Sequence, residues 1–186
     1  MGNVSSILLN GVLSHRRAAR YHHESVAMQE IQARRARVAV PGGRPLHEYA
    51  NLYICARNPM LYRLQGQHRE LCVLGIGSDV LDLPGVIIAD QNAASSYVRF
   101  TASPGGLALV DYNTVFAEYW THPGDRIAEW RHKSIKCAEV LVPDSVAPTY
   151  IMGAYVSCEE SRRTLLQLAP DMVVEVDAHL FFLARR

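Results

Sequence analysis

The chain has 186 residues, 49% of them hydrophobic and 20% charged, with a formal net charge of +1. This length suits one compact domain, residues 1–186, and the composition excludes an intrinsically disordered chain. No run of about twenty apolar residues exists to span a bilayer, and the apolar stretch Ile7 to Leu9 is too short, and lacks the basic flank, for a signal peptide.

Val4, Ile7, Leu8 and Val12 fall near helical spacing, which predicts a short opening helix over Val4 to Leu13 that stops around Gly11. Val26, Met28 and Ile31 give a second helix, His22 to Val38, that buries one narrow face and exposes its arginines. Val40-Pro41-Gly42-Gly43-Arg44-Pro45 then breaks regular structure. Leu52 to Ile54, Leu71 to Ile76 and Val86 to Ala89 read as buried strands. Gln91 to Thr121 mixes a possible helix at Ala93 to Phe100, a turn at Ser103 to Gly106, and an aromatic-rich stretch from Asp111 to Trp120. Cys137 to Val142 is a strand with one charge, Glu139, and Ser145 to Pro148 closes it. A strand at Tyr150 to Val156, a helix at Glu159 to Leu168, and strands at Val173 to Val176 and His179 to Leu183 complete an α+β pattern in which strands outnumber long helices.

Charge is unevenly spread. Between His15 and Arg44, seven arginines (16, 17, 20, 34, 35, 37 and 44) face only Glu24 and Glu30, a local basic patch able to meet phosphates or a nucleotide. The four cysteines are scattered without a CxxC pair or a zinc-like interval to a histidine, so they read as free, mostly buried thiols of a reducing cytoplasm, and no metal is expected.

A buried carboxylate in a strand costs several kcal/mol unless it is paired, so Glu139 is either half of a structural ion pair or a site residue. Arg34, Arg35 and Arg37 fall on different sides of any helix, so at least one points inward or sideways. Either they form a solvated basic face, or one guanidinium is a fork for phosphate or carboxylate. Tyr49, Tyr53, Tyr62 and Arg57 surround Asn58-Pro59-Met60, as core or as a stacking platform. His47 is either a structural histidine or one that orients a site residue. Gly75-Ile76-Gly77 lacks the further glycine and the helix of a dinucleotide fingerprint, and no serine sits in a GxSxG setting.

The blocks IQARRARV, PLHEYANLYICARNPMLY, IADQNAAS, AEYW and KCAEVLV, in that order between Asn3 and about Phe182, together resemble the DarT family. These are the toxins of DarTG toxin–antitoxin systems, which resemble other ADP-ribosyltransferases in fold. The resemblance implies an ADP-ribosyltransferase-like mixed sheet core with flanking helices. It also implies an enzyme that transfers ADP-ribose from NAD to a base in single-stranded DNA and releases nicotinamide, with a macrodomain antitoxin of the DarG type as partner.

On that resemblance Glu139 matches the catalytic glutamate that positions the NAD ribose and supports the developing oxocarbenium charge. Arg35 matches the arginine that contacts NAD and helps the target base lose its proton. Tyr53 and Met60 match positions on the nicotinamide side, and Ser6 and Ser14 match further NAD contacts. Residues from about Asn92 to Lys136 take the place of the substrate-recognising loop, where Tyr97, Arg99 and Trp120 are candidates for stacking and phosphate pairing with a single strand. Family members usually begin with a strand bearing a His and a Thr that grip NAD, whereas here Met1-Gly2 directly precedes Asn3-Val4. The expectation is a start codon placed downstream of the true one, or a degenerate copy. Lys136-Cys137 stands where some members have Arg-Gln, which leaves thymine or guanine open as the target. Two alternatives remain: an inactive remnant that binds nucleic acid or antitoxin, and a transferase acting on protein or RNA.

Overall fold

A computed structural model describes residues 1–25 and 27–184. Val26, counted toward the expected second helix, lies outside the described residues. The elements in chain order are α1 (Val4–Asn10), β1 (Val12–Leu13), α2 (His15–Ala18), α3 (Gln29–Arg35), β2 (Tyr49–Tyr53), α4 (Pro59–Arg63), β3 (Val73–Ile76), β4 (Ile87–Ala89), β5 (Phe100–Ala102), α5 (Tyr112–Phe116), α6 (Arg126–Ile135), β6 (Glu139–Pro143), β7 (Ser145–Val146), β8 (Ile151–Val156), α7 (Glu159–Leu168) and β9 (Val174–Val176). They belong to two units, each assembled from separated segments: residues 1–12, 56–80 and 146–186 in one, residues 13–55 and 81–145 in the other.

In the first unit β8 is the central strand, antiparallel to β3 and parallel to β9. A parallel neighbour requires a crossover, and α7 supplies it. Ser161 and Leu165, one turn apart, form the buried stripe of α7, and Leu165 packs with Val4, Ala154, Val156, Ala169 and Val174. The α1 helix stops at Gly11 because φ there is +82° and a Cβ would lie 2.1 Å from the Val146 carbonyl oxygen, an approach open only to glycine.

The second unit holds a four-stranded antiparallel sheet in the order β2-β6-β4-β5. Its central strand β6 is buried over Glu139–Val142, which explains the near-continuous apolar run in the sequence. Leu141 packs with Val40, Leu46, Tyr49, Ala89 and Ala93. Residues two apart in a strand share a face, so Glu139 stands on the side of Leu141.

Four expectations are corrected. The helix expected over His22 to Val38 is reduced to Gln29–Arg35, since Ser25 Oγ accepts the Ala27 N–H at 3.3 Å and competes with helical bonding ahead of it. Ala93 to Tyr97 forms turns and Phe100 already opens β5, with Asn92 and Ser95 side chains taking the Ala94 and Tyr97 N–H groups. His179 to Leu183 is a turn in which the Phe182 N–H donates to the His179 carbonyl at 3.0 Å, and Phe182 has φ +63°. The stretch from about Asn92 to Lys136, expected as a substrate-recognising loop, contains α6, started by Asp125, whose side chain accepts the Ala128 N–H at 2.8 Å.

Candidate active site

The register of β6 sets Glu139 between Tyr53 of β2 and Ala89 of β4. Its side chain is 1% exposed. Arg35 reaches it from the last turn of α3, the one arginine of the ARRAR segment that is buried, while Arg34 and Arg37 lie exposed. The two form a bidentate pair: Arg35 Nη1 donates to Glu139 Oε1 at 3.0 Å and Nη2 donates to Oε2 at 2.8 Å. The Ala93 backbone N–H also donates to Oε1, at 2.9 Å. Glu139 is thus neither solvated nor isolated, and its buried charge is matched by a guanidinium and a peptide dipole.

Burial and the pair together set the titration of the groups around it. Burial works against the charge on Arg35, but the Glu139 carboxylate outweighs it and the guanidinium sits above its ordinary value. The Cys137 thiol, buried in the turn just ahead of β6, is pushed up to about 12 by burial and then by the Glu139 charge. Burial of its hydroxyl end, and then Glu139, raises the Tyr53 phenol well above its usual value, although the residue as a whole is 38% exposed. All three stay in their ordinary protonation states at neutral pH, so the site presents one carboxylate clamped by one cation.

The remaining candidates are placed as follows. Ser14 is buried and caps α2: its Oγ accepts the Arg17 N–H at 3.3 Å, and its own N–H donates to the Asp144 carbonyl at 2.8 Å. Ser6, in the first unit, is half-buried on α1 beside Asn10, whose Nδ2 donates to the Ser6 carbonyl at 3.0 Å. Met60, also in the first unit, opens α4 with its N–H bonded to the buried cap Asn58 at 3.0 Å. Tyr97 is 86% exposed. Arg99 is clasped by Asp90, with Nε to Oδ2 at 2.6 Å, and keeps most of its side chain in solvent. Trp120 is 8% exposed and lies beneath the Lys136 ammonium, 5.7 Å from the ring centroid, so its face is not open to a base.

Two features escape a reading of the sequence, and His47, already a candidate there, gains a definite setting. The Ala93 N–H leaves no trace in side-chain chemistry. Lys136, 1% exposed, donates to the Val115 carbonyl at 2.9 Å and the Ala117 carbonyl at 2.6 Å, anchoring the end of α5 just ahead of β6. A lysine followed by a strand with its own buried charge was the available signal. His47 stacks on His15 with ring centroids 4.1 Å apart, its Nε2 is buried without a partner, and burial followed by the charges of His15 and Arg35 lowers its pKa. Among the described residues no cluster of three or more His, Cys, Asp or Glu could hold a metal ion, and no helix is long and apolar enough to cross a membrane.

A family model described as DarT, the ssDNA thymidine ADP-ribosyltransferase, matches residues 1–182. The chain belongs to the DarT family. It is 33% identical over 192 residues to a DNA ADP-ribosyl transferase–DNA ADP-ribosyl glycohydrolase fusion protein of Thermosipho africanus, covering 99% of this chain and 48% of that protein. The chain therefore spans about half the length of this relative. A DNA ADP-ribosyl transferase of Thermus sp. is 32% identical over 151 residues, covering 75% of this chain and 69% of that protein.

Solved structures agree with these matches. Thermosipho africanus DarTG in complex with ADP-ribose superposes with a TM-score of 0.84 at 31% identity, over 99% of this chain and 50% of that one. Thermus sp. 2.9 DarT in complex with ADP-ribosylated ssDNA gives a TM-score of 0.80 at 25% identity, over 96% of this chain and 91% of that one. A further structure of the Thermus protein, in complex with NAD+, shares the fold with a TM-score of 0.76 at 23% identity. The α+β class expected from the sequence is the class of these DarT structures.

Proposed function

We propose that this chain transfers ADP-ribose from NAD to a base in single-stranded DNA, a glycosyl transfer with Arg35 and Glu139 at its centre. The observation that carries the reading is the buried Arg35–Glu139–Ala93 constellation. A buried ion pair adds little to stability compared with apolar residues of similar volume, so packing alone gives no reason for a charge at the head of β6. Ligand chemistry does. The two oxygens of a carboxylate offer about four acceptor positions, and three are occupied. The remaining one suits a ribose hydroxyl, and the negative charge beside it favours positive charge developing at the anomeric carbon as the bond to nicotinamide lengthens.

In the transfer the bond from the anomeric carbon to nicotinamide breaks, nicotinamide leaves with the bonding electron pair as a neutral molecule, a bond to the base forms, and the base gives up a proton to solvent water. Arg35 holds the carboxylate in plane and supplies positive charge next to a base that is becoming anionic. The relatives named as DNA ADP-ribosyl transferases, and the Thermus structure with ADP-ribosylated ssDNA, support this donor and acceptor. Tyr97 and Arg99, exposed in the same unit as Glu139, are the proposed contacts to the strand, while Tyr53, Met60, Ser6 and Ser14 are proposed for the donor. Trp120 serves the strand only by holding Lys136.

The fusion of transferase and glycohydrolase in the Thermosipho relative supports a toxin role, in the cytoplasm, opposed by a macrodomain antitoxin of the DarG type. The family match spans both units, which supports treating residues 1–186 as one catalytic domain. Labelled NAD with competing acceptors tests the reading: single-stranded oligonucleotides should take the label, with duplex DNA, RNA and protein unlabelled. Oligonucleotides lacking either thymine or guanine identify the base. Arg35→Lys, which loses the planar fork, should depress transfer far more than Arg37→Ala. Equal losses would reduce the arginines to a diffuse basic patch, and preferential labelling of RNA or protein would replace the acceptor.

A further inference from the structure

The three bonds to Glu139 are unevenly divided. Oε1 accepts from Arg35 Nη1 at 3.0 Å and from the Ala93 N–H at 2.9 Å, whereas Oε2 accepts from Arg35 Nη2 at 2.8 Å. With roughly two acceptor positions per oxygen, the described residues fill both at Oε1 and one at Oε2.

A single residue creates this imbalance. Asn92 Oδ1 accepts the Ala94 N–H at 2.8 Å, its carbonyl accepts the Ser95 N–H at 2.8 Å, and its own N–H donates to the Ser134 carbonyl at the end of α6, also within 2.9 Å. An asparagine bonding the backbone two residues on closes a tight turn instead of a helix. The turn leaves the intervening Ala93 N–H outside its own bonding and directed at Oε1. Ala93 is fully buried, so water cannot satisfy this donor and the carboxylate must. The loop is closed at its base by Asp90 and Arg99, where the Arg99 N–H donates to Asp90 Oδ1 at 2.9 Å.

We propose that Asn92 is a positioning residue for the transfer: its turn aims the Ala93 N–H at Glu139 Oε1 and so reserves Oε2 for a hydroxyl of the donor ribose. This role rests on the transferase reading above. Without the Asn92 acceptor the Ala93 donor is no longer fixed, both oxygens become available, and the hydroxyl has two docking registers of which one is productive. The donor still binds, but the fraction bound in reactive geometry falls.

Asn92→Leu removes the acceptor at similar volume, and Asn92→Asp retains it. Turnover with NAD and a single-stranded oligonucleotide is measured for both, with the thermal melt as a control for folding and amide hydrogen exchange of Ala93 followed by NMR. Asn92→Leu should lose about tenfold or more in kcat, since small displacements of reacting groups carry penalties of that order. Its KM for NAD should stay within about threefold of wild type, and Asn92→Asp should recover most of kcat. The Ala93 amide should be protected in the wild type and in Asn92→Asp and should exchange faster in Asn92→Leu. Unchanged kcat in Asn92→Leu, a still-protected Ala93 amide there, or equal kcat losses in both variants would overturn the role. A wild-type chain that transfers nothing overturns the transferase reading and this role with it, whereas an active wild type with an undiminished Asn92→Leu overturns the role alone.

Discussion

The central strands of the three-stranded and the four-stranded sheet meet the same requirement, burial on a crowded face, with different residues. β8 meets it with small and branched apolar side chains, Ala154 and Val156, packed against Leu165 of α7. β6 does so from Val140 to Val142 but begins with a charge that needs three donors to be tolerated. Both sheets therefore have the means to be stable without a buried carboxylate, and among the described residues only the β6 sheet carries one. The difference separates what the fold requires from what a ligand requires, because an apolar residue at position 139 would remove the need for Arg35 and the Ala93 N–H to converge.

Truncation at each strand sharpens the contrast. Glu139→Ala should have the largest effect, abolishing transfer and, by stranding a buried guanidinium, costing about 3–5 kcal/mol in stability by denaturant titration. Near-wild-type stability in that variant would mean that solvent reaches Arg35 freely. Leu165→Ala should cost about 2–4 kcal/mol through the cavity it leaves, with turnover per folded molecule unchanged. A selective loss of turnover would extend the catalytic requirement to the apolar core of the first unit.

A smaller effect should appear with pH. Burial, then the charges of His15 and Arg35, lowers the pKa of His47; burial, opposed by its bond to the Thr114 carbonyl and reinforced by His122 and Lys136, lowers that of His132. A histidine depressed in the folded state is neutral there while the unfolded chain takes up a proton near its ordinary value of about 6.5. Stability should therefore be flat above about pH 7 and fall as the pH drops toward about 5, since the unfolded state then binds more protons. His132→Gln, which keeps a donor for the Thr114 carbonyl, should flatten the slope, and an unchanged slope would assign the effect elsewhere.

Legibility in the sequence followed the type of signal each element carried. The α7 helix was readable to the residue because its apolar side and acidic first turn agree, and Gly11 marked the end of α1 through its backbone geometry. Glu139 stood out as one charge in an apolar run, and the spacing of ARRAR meant that at least one arginine points inward or sideways, with a solvated basic face as the other reading. That these two would meet 104 positions apart was beyond any local pattern. Ala93 to Phe100 looked helical by composition, and the competing bonds of Asn92 and Ser95 decided otherwise. The α6 helix, behind Pro123-Gly124 with Asp125 as its cap, had a legible start that the aromatic residues before it obscured. Trp120, an aromatic in a loop that suggested stacking, lies 5.7 Å from the buried Lys136 ammonium, a neighbour that no local pattern shows.

The measurement that tests the account most directly is the intact mass of single-stranded oligonucleotides after incubation with NAD and either the wild-type chain or Glu139→Gln, which keeps the side-chain shape. The account predicts a gain of one ADP-ribose with the wild type and none with Glu139→Gln. An equal gain with both proteins, or no gain on any oligonucleotide with the wild type, would contradict it.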